Sequence, residues 1–314
     1  MDWIYVALGL VLLLLAGDSL VRGAVNMSLR IGVPALIVSL TIVAFGTSAP
    51  ELLIAIQAIY DDVPGLAMGN VVGSNTANIL LVLGVPAMIA AMHTSDCDTR
   101  KSYLQMIAAT ALFIVICLMG PVTWHDGLIL LAALAAMLVW AAFEAKKHRV
   151  SCADADEEEI EGADPNLGWG KIAFFLILGL IGLPLGADLL VDGSTNIARG
   201  FGISETVIGL TLVAVGTSLP ELATTMAAAI RRQADVALGN VIGSNMFNLL
   251  GIMGVASLFG AIPVDQELLS FDIWIMLGAS LLLIPFVFFK MDISRIWGVI
   301  LSVLYAAYIA MVLM

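Results

Sequence analysis

Long apolar runs, separated by short polar breaks, pattern this chain from end to end. Ten of them reach the roughly 20 residues that one helical crossing of a bilayer core about 30 Å thick requires. They lie near 3–29, 33–60, 65–91, 103–120, 124–144, 169–198, 203–230, 235–262, 269–289 and 293–313. The pattern predicts an all-α integral membrane protein. Composition agrees: 61% of the 314 residues are hydrophobic and 12% charged, and the mean hydropathy is +1.05, which leaves too little polar surface to coat a soluble globule. The first run lacks the basic start of a cleavable leader and more spans follow it, so it is expected to stay in the mature chain.

Charge adds direction. With the N-terminus outside and ten crossings, every Lys and Arg except Arg199 falls at or near the cytoplasmic side, as the positive-inside bias requires. Both termini are then expected outside a cell (inner or plasma) membrane. The net charge of −12 argues against nucleic acid as a partner. Much of it sits between Asp154 and Asp164, a run that reads as a solvated cytoplasmic linker. Cys97, Cys117 and Cys152 form no CxxC pair, so no thiolate metal site or disulfide framework is expected.

Sliding the sequence by 170 residues aligns its halves without a gap from Asp18/Asp188 to Gly84/Gly254. Residues 41–84 and 211–254 share 20 identities in 44 positions. The matches concentrate in Gly46-Thr47-Ser48-Ala49-Pro50-Glu51 against Gly216-Thr217-Ser218-Leu219-Pro220-Glu221, and in Gly69-Asn70-Val71-Val72-Gly73-Ser74-Asn75 with Asn78 against Gly239-Asn240-Val241-Ile242-Gly243-Ser244-Asn245 with Asn248. Five crossings separate equivalent positions, and five is odd, so the second copy is inverted. The expected organisation is a first five-helix repeat over 1–144, an acidic linker over 145–168 and a second repeat over 169–314. Inverted repeats place a substrate site near the midplane, where interrupted helices meet.

A carboxylate inside a span is costly and marks function by default. Glu51 and Glu221 recur in both repeats, each beside a helix-breaking proline, and no Lys or Arg of these spans can pair with them. Pro50 and Pro220 free the carbonyls of Gly46 and Gly216, which in a membrane need another partner. Thr47, Ser48, Thr217 and Ser218 keep hydroxyls on the carboxylate side of each turn. Ser74 with Asn78, and Ser244 with Asn248, place further oxygens on one helix face. The set contains oxygen donors only, the chemistry of Ca2+ or Na+ rather than Zn2+ or Cu+. Two carboxylates neutralise one divalent ion or two monovalent ones, which gives a physical basis for exchange.

These duplicated blocks resemble the two alpha repeats, at about 41–84 and 211–254, of the Ca2+/cation antiporter superfamily, the sodium/calcium exchangers and their bacterial relatives. The resemblance covers essentially the whole chain. It implies ten helices, the second, third, seventh and eighth forming the ion-binding core while the long first and sixth slide to expose it. It also implies Ca2+ ligation by Glu51, Glu221 and the carbonyls of Thr47 and Thr217, and Na+ ligation that adds Ser48, Ser74, Ser218, Ser244 and the carbonyls of Ala44 and Ala214. Asn78 and Asn248 would line the centre. Some members carry Asp where this chain has Asn248, which weighs against K+ co-transport.

The expected function is secondary Ca2+/Na+ antiport in the bilayer, with H+-coupled Ca2+ or other divalent antiport as the alternative. Ca2+ and Na+ (or H+) enter as cargo, with no enzymatic cofactor and no obligate protein partner implied. A cation channel fits deep paired carboxylates less well. An intramembrane hydrolase built on Ser48 or Ser218 lacks a His or Lys base in these spans.

Overall fold

A computed structural model describes residues 2–151, 164, 167–201 and 214–312. Among the described residues every regular element is helical, apart from two isolated backbone bridges. The helices are α1 (Asp2–Ile31), α2 (Ala35–Thr47), α3 (Ala49–Tyr60), α4 (Pro64–Ile89), α5 (Arg100–Met119), α6 (Trp124–Ser151), α7 (Trp169–Gly200), α8 (Leu219–Ile230), α9 (Ala234–Phe259), α10 (Leu268–Phe288) and α11 (Arg295–Val312). Eight of these are long and apolar enough to cross a bilayer, or nine when α2 and α3 count as one bent span. The chain is a multi-pass, all-α membrane protein. The remaining stretch expected at 203–230 is described only from Ala214, as a turn of helix (Ala214–Gly216) followed by α8. α6 runs on to Ser151, past the expected end of its span at 144. The acidic run from Asp154 lies outside the described residues except for Asp164.

The repeat is visible in how α1 and α7 pack. Close approaches pair Gly9 with Gly186, Ala16 with Gly179, Gly23 with Leu176 and Val6 with Gly193. Rising numbers on one helix meet falling numbers on the other, so the two run antiparallel. Subtracting the 170-residue offset turns Gly186 into position 16 and Gly179 into position 9. Each contact therefore has its reciprocal, as a two-fold relation between the copies requires. A Cβ placed on Gly9 would stand 2.8 Å from the Gly186 carbonyl, and one on Gly179 would stand 3.0 Å from the Ala16 carbonyl. Small residues let membrane helices approach this closely, and dispersion between the backbones holds them.

The same reciprocity recurs elsewhere. The bridges join Met92 to Ile293 and Val122 to Ile262, tying each repeat to the other. Asp62 and Arg232, one repeat apart, both turn the chain with positive φ, at 58° and 56°. Between these layers α4 and α9 are the most enclosed spans. Each carries a π-helical stretch past its middle, Asn78–Val82 and Phe247–Ile252. Such a stretch widens the turn and is frequent at functional sites.

Candidate cation site

The two kinks are built alike. α2 ends at Thr47, Ser48 leaves helical geometry at φ −86° and ψ 4°, and α3 begins with Pro50 in its first turn. The axis bends by 40°. In the second repeat Ser218 sits at φ −90° and ψ 5°, and Pro220 opens α8. Proline has no N–H and its ring crowds the preceding turn, so a straight helix cannot run through either position. Ser48-x-x-Glu51 and Ser218-x-x-Glu221 have the spacing of a capping box, in which Ser and Glu satisfy the first amides of a helix. Neither is used that way, for neither serine caps its helix. A serine cap contributes about 1 kcal/mol, and both helices forgo it, leaving hydroxyls and carboxylates free to face inward.

Ser48 instead crosses to the other repeat and donates to Glu221 Oε1 at 3.1 Å. Ser244, from α9, donates to the same oxygen at 3.5 Å. Thr47 Oγ1 lies 3.4 Å from Ser244 Oγ and 3.3 Å from the Asn240 carbonyl oxygen. Its mate Thr217 donates to Asn70 Oδ1 at 3.4 Å. Asn78 donates to Asn245 Oδ1 at 3.0 Å, and the reciprocal Asn248 donates to Asn75 Oδ1 at 3.5 Å. Asn245 also donates to the Asn75 carbonyl at 3.3 Å. The kinks of both repeats and the middles of α4 and α9 thus close around one place, and Glu51 lies within electrostatic reach of Glu221.

Glu51 and Glu221 are 1% and 0% exposed, so the carboxylates expected at the centre face neither lipid nor water. Thr47, Ser48, Ser74, Ser218, Ser244, Asn78 and Asn248 are all buried as well. Ser74 lines a cavity of about 370 Å³ together with Asn70, Thr217, Asp272 and Tyr308. Asp272 accepts a hydrogen bond from Tyr308 at 3.0 Å. A second cavity, of about 240 Å³, touches Pro50, Thr217, Pro220, Asp188 and Asp192. The carbonyl of Ala44 accepts from Ser48 N at 3.0 Å, and it lies 3.2 Å from Thr47 Oγ1, whose single proton it shares with Asn240 Oδ1. Ala214 opens the short turn before the second kink, where Ser218 N bonds the Val215 carbonyl instead.

What the arrangement lacks is as specific as what it has. Both oxygens of Glu51, Oε2 of Glu221, the Oδ1 atoms of Asn78 and Asn248, and the hydroxyl of Ser218 are buried without a hydrogen-bond partner. Each unmade bond costs about 1–3 kcal/mol, and more where the group is ionised. Among the described residues there is no cluster of three or more His, Cys, Asp or Glu side chains. The amide nitrogens of Asn70 and Asn75 are unpartnered too, and the unpaired oxygens gather on and around two carboxylates, which suits a hard cation.

Asn70, Asn75, Asn240 and Asn245 lie in the repeated blocks but carried no role from sequence. Their recurrence at matched positions was the available signal, since an amide kept in both copies within a span needs a partner across it.

The model of the sodium/calcium exchanger protein family matches residues 1–143 and 171–314. Among relatives, the sodium/calcium exchanger MaX1 of Methanosarcina acetivorans is 33% identical, covering 98% of this chain and 97% of its own. The putative antiporter CaxA of Alkalimonas amylolytica is 34% identical over 97% of this chain and 96% of its own. The fold matches that of the sodium-calcium exchanger NCX_Mj soaked with zero Na+ and Ca2+, at a TM-score of 0.84 and 35% identity, covering 99% of this chain and 98% of that one. It matches NCX_Mj soaked with Na+ and Sr2+ at 0.84 and 36%, over 98% of both chains. With near-complete coverage in sequence and in fold, this chain belongs to the sodium/calcium exchanger family.

Proposed function

We propose that this membrane antiporter exchanges Ca2+ for Na+ by alternating access to the pocket between Glu51 and Glu221. One observation carries the reading: both oxygens of Glu51, one of Glu221, those of the Asn78 and Asn248 amides and the Ser218 hydroxyl, drawn from both repeats, are buried with no hydrogen-bond partner in the protein. Glu51, Glu221 and the carbonyls of Thr47 and Thr217 would hold Ca2+. Na+ would engage Ser48, Ser74, Ser218, Ser244, the carbonyl of Ala214 and, once its present bonding loosens, that of Ala44. Asn78 and Asn248 would line the middle. Two negative charges balance one Ca2+ or two Na+, so occupancy by one ion opposes the other. Empty, the pocket holds two uncompensated carboxylates, which resist burial and disfavour an ion-free return. The kinship with MaX1 and with NCX_Mj structures soaked with Na+ and Sr2+ supports the same ions here.

In the proposed orientation both termini lie outside and the acidic linker lies in the cytoplasm, following the basic residues. The long helices α1 and α7 would then slide to expose the site alternately to the two sides. Proteoliposomes loaded with Na+ and diluted into Na+-free buffer with radiolabelled Ca2+ test the coupling. Uptake driven by the Na+ gradient and insensitive to an imposed pH gradient is expected. Uptake that follows the pH gradient and ignores Na+ would replace Na+ by H+, with the same glutamates as proton carriers.

A further inference from the structure

We infer that Asn240, held by Thr225, is a positioning residue that fixes the spacing of the two kinks and so how closely the pocket fits its cation. Asn240 is fully buried and reaches three groups. Its carbonyl oxygen accepts from Thr47 Oγ1 at 3.3 Å. Its amide nitrogen donates to the Glu221 backbone carbonyl at 3.4 Å and to Thr225 Oγ1 at 3.2 Å. Thr47 belongs to the first-repeat kink and Glu221 to the second, so one planar amide spans both. A planar amide with both ends engaged cannot rotate without losing bonds on both sides. Thr225 stands one helical turn beyond Glu221 on α8 and is itself completely buried.

The other copy lacks this anchor by sequence rather than by state. Asn70 accepts from Thr217 at 3.4 Å, as Asn240 accepts from Thr47. Its amide nitrogen is buried without a partner. The position one repeat before Thr225 is Ala55, which has no oxygen to offer. The Asn240 strut is therefore complete where its twin is not: Asn70 makes neither the bond to a backbone carbonyl nor the bond to a hydroxyl, and the second is excluded by the alanine at position 55.

The inference rests on the reading that Thr47 and Glu221 hold the cation, and the test separates the two. Half-saturating Ca2+ and maximal rate are measured in proteoliposomes, at a fixed Na+ gradient, for T225V, T225S and E221Q. T225V keeps the shape and loses the hydroxyl, so half-saturating Ca2+ should rise about three- to tenfold, the worth of one net hydrogen bond, with the maximal rate nearly kept. T225S keeps the hydroxyl and should match the parent. A T225V protein with the parent's half-saturation, or with only a lower maximal rate, overturns the strut, provided E221Q is inactive. An E221Q protein as active as the parent overturns the underlying reading instead. Should T225V not fold, as judged by gel filtration, Thr225→Ala is read by the same criteria.

Discussion

Glu221 and Glu51 sit at the same place in the two copies, yet their surroundings are unlike. Glu221 lies under the hydroxyls of Ser48 and Ser244. The hydroxyls in the matching positions, Ser218 and Ser74, do not bond Glu51, whose two oxygens are both unpartnered. The amide nitrogen of Asn240 is tied to Thr225, while that of its mate Asn70 is unpartnered and Thr225 has Ala55 as its mate. Further out, Arg231 pairs with Asp18, whereas the corresponding residues in the other copy, Asp61 and Asp188, carry like charges and cannot pair. Reciprocal packing of α1 on α7 shows that the scaffold keeps its two-fold relation while the polar groups inside it break it. Under the proposed alternating access, a pocket shared by inverted copies would face one side only when the copies differ at a given moment. The unequal bonding of Ser48 and Ser218 around matching glutamates is a difference of that kind, whereas Thr225 against Ala55 and Arg231 against Asp61 are fixed in the sequence.

Charge removal gives the largest expected effect. Glu51→Gln and Glu221→Gln should each cut Ca2+ uptake by about 100-fold or more, since losing one buried charge partner costs about 3 kcal/mol. In ion-free detergent they should diverge: Glu51→Gln removes an unpaired buried charge and should raise the melting temperature, while Glu221→Gln relieves less because its carboxylate is already hydrogen-bonded. Equal shifts would erase the distinction between the two sides. Next in size come the serines. Ser48→Ala removes a hydrogen bond to a carboxylate, worth about 1.5–3 kcal/mol, and should lower the ion-free melting temperature by several degrees. Ser218→Ala removes an unpaired hydroxyl and should leave it unchanged or higher. A larger loss for Ser218→Ala would reverse the comparison. Smallest is the outer ion pair: Asp18→Asn should cost about 0–1 kcal/mol, as partly exposed pairs do, and Asp188→Asn nothing. Chemical denaturation of both variants at low salt resolves that interval.

Much of this protein is written plainly in its sequence. Among the described residues the span-length apolar runs match the helices to within a few residues, except that α6 continues to Ser151 and the run at 203–230 is described only from Ala214. The offset between copies pointed to Glu51, Glu221 and the kinks at Pro50 and Pro220, because a buried charge and a missing N–H are both visible as letters. The partners of these residues were not legible. That Ser48 would abandon its own helix end for Glu221, or that Asn78 would bond Asn245 rather than its own neighbours, depends on how two copies nest. Local spacing says nothing of that. The π-helical stretches after Ala77 and Met246 were equally silent, since no residue type demands an added residue per turn. Thr225 could not have been found through the repeat at all, because its twin is an alanine.

The glycine-faced contact between α1 and α7 also has mechanical meaning. At Gly9, Gly179 and Gly186 the two backbones meet with the side chains of Leu13 and Leu20 laid on bare glycine rather than between other side chains, so in the proposed sliding the seam would shear along its length more readily than it would part. In that motion it would serve as a rail. A single methyl added there would act as a stop, and its mirror position on the partner helix would feel the same obstruction from the opposite direction of travel.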